Sequence, residues 1–586
     1  MLKLLRYIKP KEWIQAGISL LFIVVQVWLD LKLPDYISQI TTLVQSPGSD
    51  IKEIWIAGGY MLLCALGSLV AAIIVGFFAA RIGSAFSRQL RSSLFHKVES
   101  FSMEEINRFS TSSLITRSTN DITNIQMLVT MSLQLLIKAP IMAVWAVVKI
   151  SGKGLEWSMA TGIAVTILAV MVCSIMALVL PKFKKMQTLT DDLTRITREN
   201  LTGLRVVRAY NAEEYQQEKF EGANKELTDT NLFTSRLMSV MMPVMNLISS
   251  GLGLAIYWIG AYLIQAAEVD GKLPLFSNMV VFSQYAMQVI MAFMMLVMLF
   301  IMFPRASVSA KRVNEVLDTE PTIIDGKILN GKPGVQGEVT FKNVSFKYPG
   351  AAEYVLQNVS FTVKQGETIA FIGSTGSGKS TLINLLPRFF DATEGEVLLD
   401  GVNVRDYSLE ALYNKLGYVP QKAVMFKGTV SSNVAYGENG GLGYSTDEIK
   451  QAVQIAQGGD FVEQMEGTYD ALIAQGGTNV SGGQKQRLAI ARAVCRKPEV
   501  YIFDDSFSAL DFKTDRVLRS VLKQETAGVT SMIVAQRIGT IMDADQIIVL
   551  DEGKVAGHGT HQQLMKDCKV YQEIAKSQLS EKELVS

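Results

Sequence analysis

A chain of 586 residues exceeds one ordinary hydrophobic core, so at least two domains are expected. Its mean hydropathy of +0.23 is one that soluble enzymes of this size seldom show. A net charge of +1 with no Lys/Arg-rich block argues against a nucleic-acid partner. The cysteines, Cys64, Cys173, Cys495 and Cys568, form no C-x-x-C pair, and the only histidines are His96, His558 and His561. Neither a disulfide framework nor a histidine metal site is expected.

Six apolar runs lie in the N-terminal half: Trp13–Leu33, Ile54–Ala80, Met127–Ile150, Trp157–Leu180, Leu237–Ile264 and Leu275–Phe303. Each is long enough as a helix to cross the ~30 Å hydrocarbon core of a bilayer. The first run is too long for a signal-peptide core and reads as an anchor. Lys3, Arg6, Lys9 and Lys11 precede it, which places the N-terminus in the cytoplasm. The connections after the second and fourth runs are long and basic, with Arg81, Arg88, Arg91 and Lys97 in one and Lys182, Lys184, Lys185, Arg195 and Arg198 in the other. The remaining loops lean acidic, through Asp50, Glu53, Glu156, Glu268 and Asp270. The expected division is a transmembrane domain over 1–310, a turn-rich linker over 311–337 and an α/β domain over 338–586. Val339–Phe346, Thr368–Ile372, Val500–Phe503 and Ser531–Ala535 read as strands of that last domain.

Gly373, Ser374, Thr375, Gly376, Ser377, Gly378, Lys379 and Ser380 fit the P-loop pattern. The run follows an apolar strand and opens an apolar helix, Thr381–Leu386, as a phosphate cradle requires. Lys379 supplies charge to the β/γ-phosphates and Ser380 a hydroxyl to Mg²⁺. Asp504 ends the apolar strand Val500–Asp504, where its carboxylate suits the same Mg²⁺. A second Gly-rich turn, Ser481, Gly482, Gly483 and Gln484, opens the helix Leu488–Cys495. One nucleotide seldom needs two cradles, so the second points to a neighbouring molecule.

This set resembles the nucleotide-binding domain of ATP-binding-cassette (ABC) proteins, and the six runs are similar to the membrane half of bacterial multidrug exporters. The resemblance covers nearly the whole chain and implies a helical transmembrane domain followed by an α/β P-loop domain, in the plasma membrane with the nucleotide domain cytoplasmic. It implies that Tyr348 stacks on adenine, that Gln421 senses Mg²⁺, and that Ser508–Asp511 crosses a dimer interface. It counts Thr381 with the ATP-binding residues. It implies ATP and Mg²⁺ as cofactors, and a dimer in which each ATP lies between one chain's P-loop and the other's Ser481–Gln484 turn. Glu199–Tyr210 and Phe109–Asp121 resemble the family's coupling regions.

Two departures matter. The family's hydrolytic pattern places Glu after the Mg²⁺-binding Asp, and this chain has Asp505. Its carboxylate sits one methylene back, roughly 1.5 Å, and a misplacement near 1 Å costs on the order of a hundredfold in rate. The family's switch histidine is replaced by Gln536, which hydrogen-bonds a γ-phosphate but never becomes a cation. Gln475 also stands where many exporters have Glu, and Val480 where Leu is usual. Together these resemble the degenerate-site subunit of heterodimeric exporters, whose partner carries Glu and His.

The implied cargo is amphipathic drugs; a lipid or peptide exporter and an ATP-gated regulatory subunit are the alternatives. Met238, Met241, Met242 and Met245 in the fifth run, and Met287, Met291, Met294, Met295, Met298 and Met302 in the sixth, suit an adaptable cavity or simple helix packing. Polar groups at membrane depth, Asp30, Gln134, Lys138, Gln284 and Gln288, are costly there. Asp30 either attracts a cation or lies near the outer interface, and Lys138 is placed to snorkel toward the cytoplasmic face.

Overall fold

A computed structural model describes residues 2–45, 50–151, 154–437 and 443–578. Two compact units emerge: Met1–Glu99 with Ser112–Thr319, and Ser100–Thr111 with Glu320–Ser586. The side chains of Lys184 and Asp270 lie outside the described residues.

The first unit contains six helices long and apolar enough to cross a membrane. They are α1 (Pro10–Gln45), α2 (Ile51–Glu99), the span Thr111–Ile150, Leu155–Thr202, Glu213–Ala266 and Val269–Asp318. Only 17–38% of each apolar window is buried within the chain, so most of that surface faces outward, as lipid-facing helices require. The third span contains two π-helical stretches, Arg117–Asp121 and Ser132–Leu136. The last helix continues to Asp318, so residues 311–318, expected to open the linker, are its final turns. Within the largely aliphatic core of this unit, Trp157 packs on Phe282 and donates its indole N–H to the Ile256 carbonyl at 3.1 Å.

The charged residues Asp30 and Lys138 are paired with each other here. Lys138 meets Asp30 at 3.3 Å, the Ser68 hydroxyl also donates to Asp30, and the Gln288 amide donates to the Asp30 carbonyl at 3.3 Å. Near them Lys149 meets Asp35 at 2.7 Å, and the Tyr285 hydroxyl reaches Asp35 at 2.7 Å. Lys138 therefore turns its ammonium to Asp30, and Asp30 is not a free anion. In a medium of low dielectric each charge is held by its opposite, because an unpaired one costs far more. Gln284, by contrast, is exposed.

The second unit is layered around two large sheets, with a two-stranded ribbon, Gly428–Thr429 against Leu472–Ile473, beside them. Strands β1 (Val339–Phe346), β2 (Leu356–Val363), β4 (Glu394–Leu399) and β5 (Val402–Asn403) form one, in the order β2-β1-β4-β5. The other takes β3 (Thr368–Gly373), β6 (Leu416–Val419), β7 (Val500–Asp504), β8 (Thr530–Val534), β9 (Gln546–Asp551) and β10 (Lys554–Gly559). Its order is β10-β9-β3-β8-β7-β6, parallel except for the hairpin β9-β10. All five residues of β7 are buried, which explains an uninterrupted apolar run rather than an alternating one. The C-terminal ends of β3, β7 and β8 lie side by side, the usual location of ligand sites in such sheets. The short helix Met103–Phe109 clusters with this unit. It is anchored through Glu105, whose carboxylate accepts from the backbone N–H of Ser102 at 2.7 Å and of Thr322 at 3.1 Å.

Candidate nucleotide site

The loop after β3 is possible only with glycine at two points. A Cβ on Gly373 would lie 2.8 Å from the Ser377 hydroxyl and closer still to the Leu550 carbonyl. Gly378 has φ +96°, and a Cβ there would lie 2.8 Å from the Leu356 side chain. The helix that follows is shorter than its apolar sequence suggests, Lys379–Ile383 instead of running to Leu386. Pro387 explains this, since its ring disfavours helical geometry in the preceding residue. With so short a helix, phosphate attraction rests more on the loop N–H groups and Lys379 than on a macrodipole. The Lys379 ammonium donates to the carbonyls of Gly373 at 2.9 Å and Ser374 at 2.7 Å. Burial lowers its pKa, against the pull of Asp505 and Asp504.

β7 delivers Asp504 beside the loop, where its carboxylate accepts from the Ser380 hydroxyl at 2.8 Å. Adjacent ligands on an octahedral Mg²⁺ stand about 3 Å apart, so this pair of hard oxygens fits that ion. Burial raises the pKa of both Asp504 and Asp505. Asp505 itself has φ +47°, a left-handed conformation that Asp tolerates better than most residues. Its N–H donates to the Val534 carbonyl at 3.0 Å, and its side chain is 7% exposed. One carboxylate oxygen, Oδ2, accepts from Gln536 Nε2 at 2.6 Å and from Gln421 Nε2 at 3.3 Å. The structure thus joins Asp505, Gln421 and Gln536 in one network beside the Lys379 loop.

Tyr348 lies edge-on to Phe346 and Phe390, with centroids 5.0 and 5.3 Å away. Its hydroxyl meets the Thr381 hydroxyl at 3.0 Å, tying the aromatic group to the P-loop helix. A cavity of about 470 Å³ borders it, lined among others by Phe346, Lys347, Phe390 and Asp391.

The second Gly-rich turn is built as a helix cap. The Ser481 hydroxyl accepts from the Gln484 N–H at 3.3 Å, while Gln484 Oε1 accepts from the Ser481 N–H at 2.8 Å. The capped helix, Gly482–Cys495, runs for 14 residues. A Cβ on Gly482 would meet nothing within 4 Å, whereas one on Gly483 would touch the Ala509 carbonyl at 3.4 Å. Val480 is buried in the core beneath this turn. Asp511 caps the helix Phe512–Glu525, accepting from the Thr514 N–H at 2.9 Å. Those hydrogen bonds from Thr514 lower its pKa, a structural task the sequence pattern alone does not reveal.

Sequence reasoning missed Gln578, at the end of the helix Lys569–Gln578. Its amide brackets the loop that carries Gln536, donating to the Gln536 carbonyl and accepting from the Ile538 N–H, both at 2.8 Å. It belongs to no motif, so no signal marked it.

A bundle of membrane-length helices joined in one chain to a P-loop α/β domain defines a subunit of a membrane transport ATPase. Residues 16–293 match the ABC transporter transmembrane region and residues 356–508 the ABC transporter domain. The chain is 40% identical over 523 residues to an uncharacterized ABC transporter ATP-binding protein of Mycobacterium bovis, covering 89% of this chain and 87% of that one. It is 31% identical over 452 residues to the ATP-dependent lipid A-core flippase of Pseudomonas fluorescens, covering 77% and 74% of the two chains. The structure of a bacterial Atm1-family ABC exporter with ATP bound is similar at a TM-score of 0.81 and 25% identity, over 97% of this chain and 98% of that one. The chain belongs to the ABC transporter family, as a half-exporter with one membrane region and one nucleotide domain. That family couples ATP hydrolysis to transport across a membrane, and its nucleotide domain implies ATP as ligand, usually with Mg²⁺.

Proposed function

We propose that this half-exporter is the degenerate-site subunit of a heterodimeric efflux transporter. The observation that carries this reading is the 2.6 Å hydrogen bond from Gln536 Nε2 to Asp505 Oδ2. A general base must reach the attacking water within about 2.6–3.2 Å. The shortened Asp505 side chain instead spends an oxygen on a neutral amide that supplies no positive charge to a γ-phosphate. Lys379, Ser380 and Asp504 retain what binding Mg²⁺–ATP needs. Tyr348 is the adenine platform, and Gln421 links the Mg²⁺ site to Asp505. In this reading the site holds ATP and turns it over slowly.

The capped turn Ser481–Gln484, open at Gly482, completes a hydrolysing site on the partner's P-loop. Asp511 and its neighbours form part of the contact between the two nucleotide domains. The partner carries Glu and His where this chain has Asp505 and Gln536. Steady-state ATPase of the isolated chain against the co-purified pair tests this. The isolated chain should be nearly inactive and the pair active; robust turnover by the chain alone would remove the heterodimer from the account.

The basic N-terminus and the basic connections after the second and fourth spans support a cytoplasmic nucleotide domain in a plasma-membrane protein. The cargo in this reading is an amphipathic molecule. Pairing of Asp30 with Lys138 and Asp35 with Lys149 leaves those carboxylates unsuited to selecting cations. A lipid cargo is the second reading, favoured by the relatives named lipid A-core flippases. Efflux of amphipathic dyes against translocation of labelled phospholipid, in vesicles holding the pair, separates the two.

A further inference from the structure

The loop Gln536–Thr540 is held from two directions. On one side Gln578 donates to the Gln536 carbonyl and accepts from the Ile538 N–H, both at 2.8 Å. On the other, Arg519 donates to the Thr540 carbonyl at 3.1 Å. That guanidinium is itself fixed by Asp515 through bonds of 3.0 and 3.1 Å. Arg519 and Asp515 belong to the helix capped by Asp511. Gln578 belongs to the last described helix, whose Tyr571 and Ala575 are fully buried against the β3 side of the sheet.

A side-chain amide that makes both a donor and an acceptor bond to one loop fixes that loop's position and its rotation. Gln536 projects from this loop, and its amide meets Asp505 at 2.6 Å. We propose that Gln578 is a positioning residue for the nucleotide site. It sets the register of Gln536 toward Asp505 and the γ-phosphate, and so determines how long this site retains ATP. The proposal rests on reading Gln536 as the residue that faces the γ-phosphate, not on which of two sites hydrolyses.

The test uses the full-length chain in lipid nanodiscs and the release rates of a fluorescent non-hydrolysable ATP analogue and of fluorescent ADP. ADP lacks the γ-phosphate, so a register fault at Gln536 affects only the triphosphate. Gln578→Ala should release the ATP analogue about tenfold faster, the scale of losing two modest hydrogen bonds. ADP release should stay within about twofold. Gln578→Glu keeps an acceptor for the Ile538 N–H but turns a carboxylate toward the Gln536 carbonyl, so it should behave like Gln578→Ala. Parental release of the analogue by both variants would overturn the proposal. So would equal acceleration of analogue and ADP, since that marks general loosening of the domain. Because the analogue is not hydrolysed, these outcomes do not depend on the degenerate-site reading, which the ATPase comparison tests separately.

Discussion

Gln536 donates its amide to the Asp505 carboxylate at 2.6 Å, so the two positions that depart from the hydrolytic pattern are each other's partner. Their coupling matters for repair. Restoring one alone leaves a longer carboxylate facing an amide, or an imidazole facing a carboxylate that is too short.

Asp505→Glu alone should therefore raise the turnover of the isolated chain only slightly. Asp505→Glu with Gln536→His should raise it at least tenfold, because general-base catalysis contributes on the order of a hundredfold or more. Steady-state phosphate release by both variants checks this. Additive effects of the two single changes would deny the coupling.

The membrane ion pair leads to a double-mutant cycle. Asp30→Asn leaves Lys138 without its anion, and Lys138→Met leaves Asp30 without its cation. Removing one member of a pair held largely out of water is destabilising, whereas removing both is often close to neutral. Each single variant should melt earlier in detergent, and the double variant should regain most of the loss. Efflux of cationic and neutral dyes should fall together in Asp30→Asn. A selective loss of cationic dyes would restore Asp30 to substrate recognition.

A third prediction concerns Asp504, the buried carboxylate proposed to hold Mg²⁺. Burial raises the pKa of Asp504 in the folded chain. The folded form then binds more protons than the unfolded one between the two pKa values, so stability falls as pH rises through that window. The penalty is fully present once the pH exceeds the raised pKa. Asp504→Asn should consequently raise the melting midpoint at pH 7 without Mg²⁺ or nucleotide, while weakening stabilisation by Mg²⁺–ATP. Thermal melts with and without Mg²⁺–ATP check both halves, and a lower midpoint for the variant without ligand would contradict the sign.

Much of this was legible in the sequence because its signals are local. β7 and β8 lie within one residue of their β-branched runs, since buried parallel strands need uninterrupted apolar residues. The P-loop was legible because its spacing demands glycine where Gly373 and Gly378 leave no room for a Cβ. The helix after it was overestimated: Leu385 and Leu386 are buried as an apolar run suggests, but in turns before Pro387. What sequence could not give was pairing across the fold. Asp30 finds Lys138 only when α1 and the third span are packed together, and Gln578 reaches a carbonyl 42 residues away from a helix without a motif.

In the proposed heterodimer this chain's Ser481–Gln484 turn serves a productive site while its own Asp505 does not. A Cβ on Gly482 meets nothing within 4 Å, so a side chain there starts into open space and Gly482→Glu acts chiefly on whatever docks against the turn. The added bulk and negative charge would face the partner's γ-phosphate. ATPase of the co-purified pair should fall about a thousandfold, roughly 4 kcal/mol, whereas Asp505→Asn should cost a few-fold, under ~1 kcal/mol. If Asp505→Asn abolished turnover while Gly482→Glu left it intact, the assignment of the two sites would be reversed.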